Sequence, residues 1–334
     1  MAISALTLIP TPGAWMSARD LVIGDYVFGA DGLPKQITLV QAYTPAETFW
    51  VELDDGLGVQ GDKNMALHLE DKKYRVNLCE HLAYRAKPGA QRTHFKRALK
   101  RRTAPELMEE GLVHRDGRAQ FSIPNAKPLR YPTRDLPVPP FIVGLWFGRR
   151  GRSRKLPLHE SNFEYISGRL RGLGYRALPK KNKPYYEIAP KVPNAFLTHY
   201  PKIPVTIPEE YLRGSLEQRH DLLRGIICAK PYIYVQEEDE YQFRDPDRRF
   251  LIRVQGICES LGIKTRLFEV QYRRQWRLTF RTDIELVENR VKKRQVPRHM
   301  RRFIKKVYTF KPEPCIHIEA GGTFLAGEGF IAVC

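Results

Sequence analysis

The side chains able to do covalent, metal or anion-binding work in this chain are its thiols, imidazoles, carboxylates and arginines, and their spacing separates them. The five cysteines (Cys79, Cys228, Cys258, Cys315 and Cys334) are odd in number and show no Cys-x-x-Cys spacing. Neither a disulfide framework nor a zinc ribbon is encoded. His68, His81, His94 and His114 fall in different segments at no ligand spacing, which argues against a metal centre. The acidic groupings are Asp54-Asp55, residues 237–240 and Asp245 with Asp247. The run at 237–240 reads as a solvated hairpin tip rather than a cation site. No phosphate loop and no nucleophile elbow occur. The arginines are arranged differently. In residues 271–281 (QYRRQWRLTFR), Tyr272, Trp276, Leu278 and Phe280 share one parity, while Arg273, Arg277 and Arg281 share the other. Period-two alternation predicts a strand with one apolar face in a core and a guanidinium face outward.

That strand belongs to a wider pattern. The 334 residues carry 56 Lys and Arg against 37 Asp and Glu, a formal charge of +19. The excess is clustered: eight bases and no acid in residues 81–105, eleven against two in 149–183, and thirteen against three in 271–307. Three basic clusters point to a phosphate-bearing partner without saying which nucleic acid. Hydrophobic residues at 42% and aromatics at 11% describe a chain that builds a core. No apolar run reaches membrane-spanning length and no leader pattern opens the chain, so we expect a reduced, cytoplasmic protein with no membrane partner.

The elements that must position these groups follow in a recognisable order. Residues 1–80 read as β, with short strands at 6–10, 21–28, 36–40, 48–53 and 58–67 bounded by Pro, Gly and Asp. Pro137, Pro139 and Pro140 stop that pattern. An apolar segment at 141–147 follows, then helices at 159–173, 215–227 and 250–261 and strands at 264–270 and 272–282. The basic stretch 290–302 reads as a linker, and strands return at 307–318 and 324–333. A β domain interrupted by an inserted domain is expected. Within the insert, an apolar segment, a helix and strands occur twice.

The residues at both ends resemble the Hint (self-splicing) domain of inteins. Residues 7–12 (TLIPTP), Trp15, 20–25 (DLVIGD) and 27–34 (VFGADGLP) resemble its start, and 315–319 (CIHIE) with 324–331 (FLAGEGFI) its end. Residues 136–148 (LPVPPFIVGLWFG) and 215–225 (SLEQRHDLLRG) resemble the two LAGLIDADG segments of a homing endonuclease. The set is most similar to inteins of phage terminases and replicative helicases. The resemblance implies a mixed fold: a discontinuous β-rich Hint domain (1–135 plus 295–334) carrying an inserted α/β, pseudo-two-fold LAGLIDADG domain (136–294).

It also implies where chemistry would sit, and the sequence departs there. The family's first nucleophile falls on Ala2, its labilising histidine on Asn64, the supporting Trp of a variant class on Ala66, and the penultimate His on Cys334. The terminal Asn is missing. Cys315 alone matches a functional group, the internal nucleophile of that variant class. An alanine has no nucleophile and an amide does not titrate near neutrality, so splicing is expected to be lost. The endonuclease would hold Mg²⁺ through one acid at the end of each LAGLIDADG helix. Those positions are Arg149 and Lys230, and cations do not ligate a cation. We therefore expect no cofactor and no nuclease activity. The expectation is a degenerate intein and homing-endonuclease relative that binds duplex DNA. Its candidate contacts are Arg149, Arg150, Arg152, Arg154, Lys155, Lys230, Arg273, Arg274, Arg277 and Arg281. The rival readings are a structural or assembly protein of a phage particle or packaging complex, an RNA-binding, maturase-like protein, and a residual enzyme with a metal held elsewhere.

Overall fold

The computed structural model describes residues 1–85, 99–148, 155–156, 160–179, 186–189, 196, 199, 206–229, 233–235, 240–270, 275–282 and 300–334. The chain divides into two compact units, Met1–Leu129 with Val296–Cys334, and Arg130–Gln295.

The first unit is β-rich. It opens with β1 (Ala2–Ser4), β2 (Leu8–Pro10), β3 (Trp15–Ser17), β4 (Tyr26–Phe28), β5 (Pro34–Gln36), β6 (Leu39–Tyr43), β7 (Thr48–Leu53), β8 (Gly58–Gly61) and β9 (Ala66–Asp71). Helix α1 (Lys72–Arg85), β10 (Lys100–Thr103), helix α2 (Ala104–Glu110) and β11 (Phe121–Pro124) follow. The second unit holds α3 (Pro140–Gly148), β12 (Lys155–Leu156), α4 (Glu160–Gly172), β13 (Arg176–Pro179), β14 (Tyr186–Ala189), α5 (Glu209–Leu212), α6 (Leu216–Ala229), β15 (Ile233–Val235), β16 (Glu240–Asp245), α7 (Arg248–Ser260), β17 (Thr265–Val270) and β18 (Gln275–Phe280). The chain then returns to the first unit with β19 (Arg301–Phe310), β20 (Cys315–Glu319), β21 (Phe324–Ala326) and β22 (Ile331–Val333).

An 11-stranded sheet dominates the first unit, in the order β21-β22-β9-β11-β19-β7-β8-β1-β20-β6, with β10 attached to β9. All of its pairings are antiparallel. Ile3, Val51, Leu53, Leu67, Leu69, Phe121, Ile304 and Val333 form its core. The late strands β19 and β20 sit inside this sheet, not at its edge, so the early strands have no complete ladder without them.

Four expectations need correction here. Residues 72–80 are helical rather than β. The expected strand at 58–67 is two strands, β8 and β9, separated by a turn at residues 62–65. The basic stretch at 290–302 is not all linker: residues 290–299 lie outside the described residues, while Arg301 and Arg302 begin β19 and are buried. Arg301 pairs with Glu70 at 3.1 Å and Arg302 with Asp55 at 2.6 Å. Carboxylates distant in sequence convert what reads as a solvated basic run into core. The expected strand at 307–318 is likewise divided between β19 and β20, because Pro312 and Pro314 cannot donate to a ladder.

In the second unit a helix opens each half. Helix α3 starts on Pro140, whose fixed φ suits a first helical position. Every residue from Phe141 to Gly148 is buried, so α3 is enclosed on all sides. It packs on α6 backbone to backbone: a Cβ at Gly144 would strike the carbonyl oxygen of Leu222, and one at Gly225 the carbonyl oxygen of Phe141. Only glycine allows this approach. Each of the two helices is followed by its own small antiparallel sheet and a second helix. The sheet orders are β12-β14-β13 with α4, and β15-β16-β18-β17 with α7. Phe141, Leu145, Leu222, Ile226, Phe243, Leu251 and Phe280 share one core.

Candidate functional site

Two places gather groups capable of chemistry, one in each unit. In the first unit, β1 lies between β8 and β20. Ala2 is opposite His317 and Ser4 opposite Cys315. On the far side of β20, Cys315 is opposite Tyr43 and His317 opposite Gln41. Tyr43, Cys315 and Ser4 therefore form one row across three strands, and Gln41, His317 and Ala2 the next, on the same face.

The turn between β8 and β9 brings a carboxylate to these rows. Asp62 accepts a hydrogen bond from the Ala2 amide at 3.0 Å, from the Tyr43 hydroxyl at 2.5 Å and from Asn64 Nδ2 at 3.1 Å. Its own amide donates to the Ala2 carbonyl at 3.0 Å. Burial, with the hydrogen bond to Asp62, pushes the Tyr43 phenol well above its ordinary value. Cys315 is fully buried. Burial, reinforced by the charges of Asp62 and Glu313, pushes its thiol up to about 11. At neutral pH it is a protonated thiol and a poor nucleophile. The Met1 amino nitrogen lies 3.3 Å from His317 Nε2, and Glu319 Oε1 lies 3.4 Å from the same ring nitrogen.

Of the positions singled out in the sequence, Ala2, Asn64 and Cys315 thus meet around Asp62. Ala66 and Cys334 meet beside them. Each donates its amide to the other's carbonyl at 2.9 Å, and the Cys334 thiol lies 3.5 Å from the Ala66 oxygen. Sequence reasoning missed Asp62, Tyr43 and His317. Asp62 stands in a turn, and its partner Ala2 is 60 residues away, so local sequence carries no sign of the pairing.

The second place is the four-stranded sheet of the second unit. Its core side presents Tyr241, Phe243, Leu278 and Phe280, all buried. Alternation sends Gln242 and Arg244 of β16, Arg277 and Thr279 of β18, and Arg266 and Phe268 of β17 to the other face. Arg244, Arg277 and Phe268 form one row across the three strands, and Gln242, Thr279 and Arg266 the next. The Arg277 guanidinium lies over the Phe268 ring, 5.4 Å from its centroid. Arg281, just past β18, lies 3.8 Å from Glu240. Arg244, Arg266 and Phe268 were absent from the sequence expectation, although the alternation of Tyr241 and Phe243 with Gln242 and Arg244 could have revealed the first.

The other candidate contacts cannot be placed. Arg149, Arg150, Arg152, Arg154, Lys230, Arg273 and Arg274 lie outside the described residues, and Lys155 is described only as a residue of β12. The residues do not fit the magnesium that the LAGLIDADG resemblance implies: the two positions expected to supply acids are Arg149 and Lys230. Among the described residues no group of three or more His, Cys, Asp or Glu could hold a metal ion. No helix among them is long and apolar enough to cross a membrane.

No protein-family model matches the chain. Over 278 residues it is 27% identical to the replicative DNA helicase DnaB of Mycobacterium intracellulare, a match covering 79% of this chain and 43% of that protein. The chain thus spans less than half the length of that curated relative. Among solved structures, the MchDnaB-1 intein is 26% identical with a TM-score of 0.20, covering 20% of this chain and 53% of that one. The Msm DnaB1 intein splicing domain bound with zinc gives 26% identity and a TM-score of 0.20, covering 20% and 55%. The gp41-1 intein gives 16% identity and a TM-score of 0.19, covering 22% and 54%. Superpositions this partial leave the architecture to rest on the chain's own sheets and helices.

Proposed function

We propose that this chain is an intein-derived protein: a Hint-type unit, interrupted by a LAGLIDADG-type unit, that neither splices nor cuts and that binds duplex DNA. The observation that carries the binding is the outer face of β16, β18 and β17. There Arg244, Arg266 and Arg277 stand with Gln242 and Thr279, an array suited to phosphates and base edges.

Other observations support the rest of the reading. The helices α3 and α6 meet through Gly144 and Gly225, and each precedes a sheet and a helix, as a two-fold repeat of the LAGLIDADG kind requires. The termini are interleaved in one sheet around Asp62. A match that covers most of this chain but less than half of a helicase agrees with an element once carried inside such a gene. Loss of splicing follows from Ala2 and from Asn64, whose amide is held by Asp62. Loss of cutting follows from Arg149 and Lys230.

Binding is tested by fluorescence anisotropy with duplex DNA across a salt series. Neutralising about 6–10 phosphates makes affinity fall about 10³- to 10⁵-fold between 50 and 200 mM salt. Affinity that is flat in salt, or absent at low salt, rejects the DNA reading. Tighter binding to a matched RNA duplex transfers it to RNA. Insertion between two reporter domains, read by mass, tests splicing; a ligated product rejects its loss.

A further inference from the structure

We propose that Arg244 and Arg277 form a single clamp for one tetrahedral oxyanion, which in the proposed function is a backbone phosphate of DNA and not a base. The inference rests on that reading for the source of the anion, but not for the clamp itself.

The two arginines are directly opposite each other on neighbouring strands. Residues so placed carry Cβ atoms about 4.5–5.5 Å apart, and like charges there destabilise a sheet. Among the described residues nothing nearby offsets them. Asp245, next to Arg244, points to the opposite, buried side, where it accepts from the Asp247 amide at 2.7 Å. Glu240, on the arginine face, faces Arg281 and accepts from Gln242. Among the described residues neither Arg244 nor Arg277 has a hydrogen-bond or ion-pair partner. The Nε of each is enclosed and donates to nothing.

Enclosed donors without acceptors in the protein take an acceptor from outside the chain, an ordered water or an anion, and the facing charge of the second arginine favours the anion. Phe268 adds direction. Half-exposed at 41%, it lies under Arg277 as a flat support and fixes the guanidinium plane. A single phosphate or sulfate accepting from both guanidinium groups would cancel the repulsion and satisfy the fork of each. A base edge would engage one arginine and leave the other as it is.

The experiment uses the full chain with R244Q, R277Q and the double variant. Sharing one anion makes the losses non-additive. Each single variant weakens duplex binding about ten- to a hundredfold, the double variant little more, and the salt slope falls by about 0.9 in each. Preference among base sequences does not change. In the absence of DNA, sulfate raises the melting temperature of the wild type above that in chloride of equal ionic strength. The double variant gains less from sulfate than the wild type, because it keeps only the general stabilisation that sulfate gives any folded protein.

Additive losses with relaxed base preference overturn the clamp, because each arginine then reads its own base. A gain from sulfate that is equal in the wild type and the double variant overturns it as well. If the wild type binds no duplex yet gains more from sulfate than the double variant does, the DNA reading falls and the clamp stands as a site for a free oxyanion.

Discussion

The two polar sites differ in how completely they are closed. Around Asp62, one carboxylate receives an amide, a phenol and a side-chain amide, and the flanking strands are tied by main-chain bonds. On the sheet of the second unit, two arginines stand opposite each other, and the Nε of each has no acceptor among the described residues. A saturated network stabilises the protein that contains it, whereas an unsaturated one costs stability until something binds. Under the proposed function, the first site is a structural joint and the second a receptor.

Breaking the buried polar pairings of the first unit should cost most. In the same unit Arg302 and Asp55 form a pair in which both side chains are at most 4% exposed. Arg302→Ala leaves that carboxylate buried and unpaired and should lower stability by about 3–5 kcal/mol, measured by urea unfolding. Asp62→Ala strands the Ala2 amide and the Tyr43 hydroxyl and should cost about 2–3 kcal/mol. It should leave DNA affinity untouched. A loss of affinity there would show that the two sites are coupled.

The receptor site should respond with the opposite sign. Arg277→Gln removes a like-charge cross-strand pair and should raise stability by a few tenths to about 1 kcal/mol while weakening DNA binding. A clear loss of stability would mean that Arg277 is part of the core rather than of a ligand site.

The smallest effect lies in alkali. The Cys315 thiol is held at about 11 in the folded chain against an ordinary 9.0. Above pH 9 the unfolded chain releases this proton and the folded chain keeps it, so stability falls as pH rises from about 9 to 11. Tyr43, also pushed up, extends the fall in the same direction. Cys315→Ala should flatten that slope, as read from urea midpoints at pH 8 and pH 10.

What the sequence made legible was what is local. Strand β7 occupies residues 48–53 as expected, because its ends are marked and its composition is β-prone. The helices at 159–173, 215–227 and 250–261 form within a few residues of their expected ends. In β18, residues 275–280, Leu278 and Phe280 are buried as the alternation predicted, but Thr279 between them is buried as well. Failures came where a distant residue changes the environment. Arg301 and Arg302 read as linker because nothing nearby neutralises them, and Asp55 is 247 residues from Arg302. The shared row of Arg244, Arg277 and Phe268 needed the register of three strands, which no periodicity supplies.

The interleaving of β1 with β20 also sets a timetable. Ile3 pairs with Ile316, so at about 5–20 residues per second the first strand waits roughly 15–60 s on the ribosome for its partner. During that wait the intervening unit, contiguous from Arg130 to Gln295, emerges whole and can fold by itself. The early strands meanwhile expose unpaired edges to solvent and to other nascent chains. Biosynthesis of this protein should therefore depend on chaperone capture of its first 129 residues far more than on the folding of its middle.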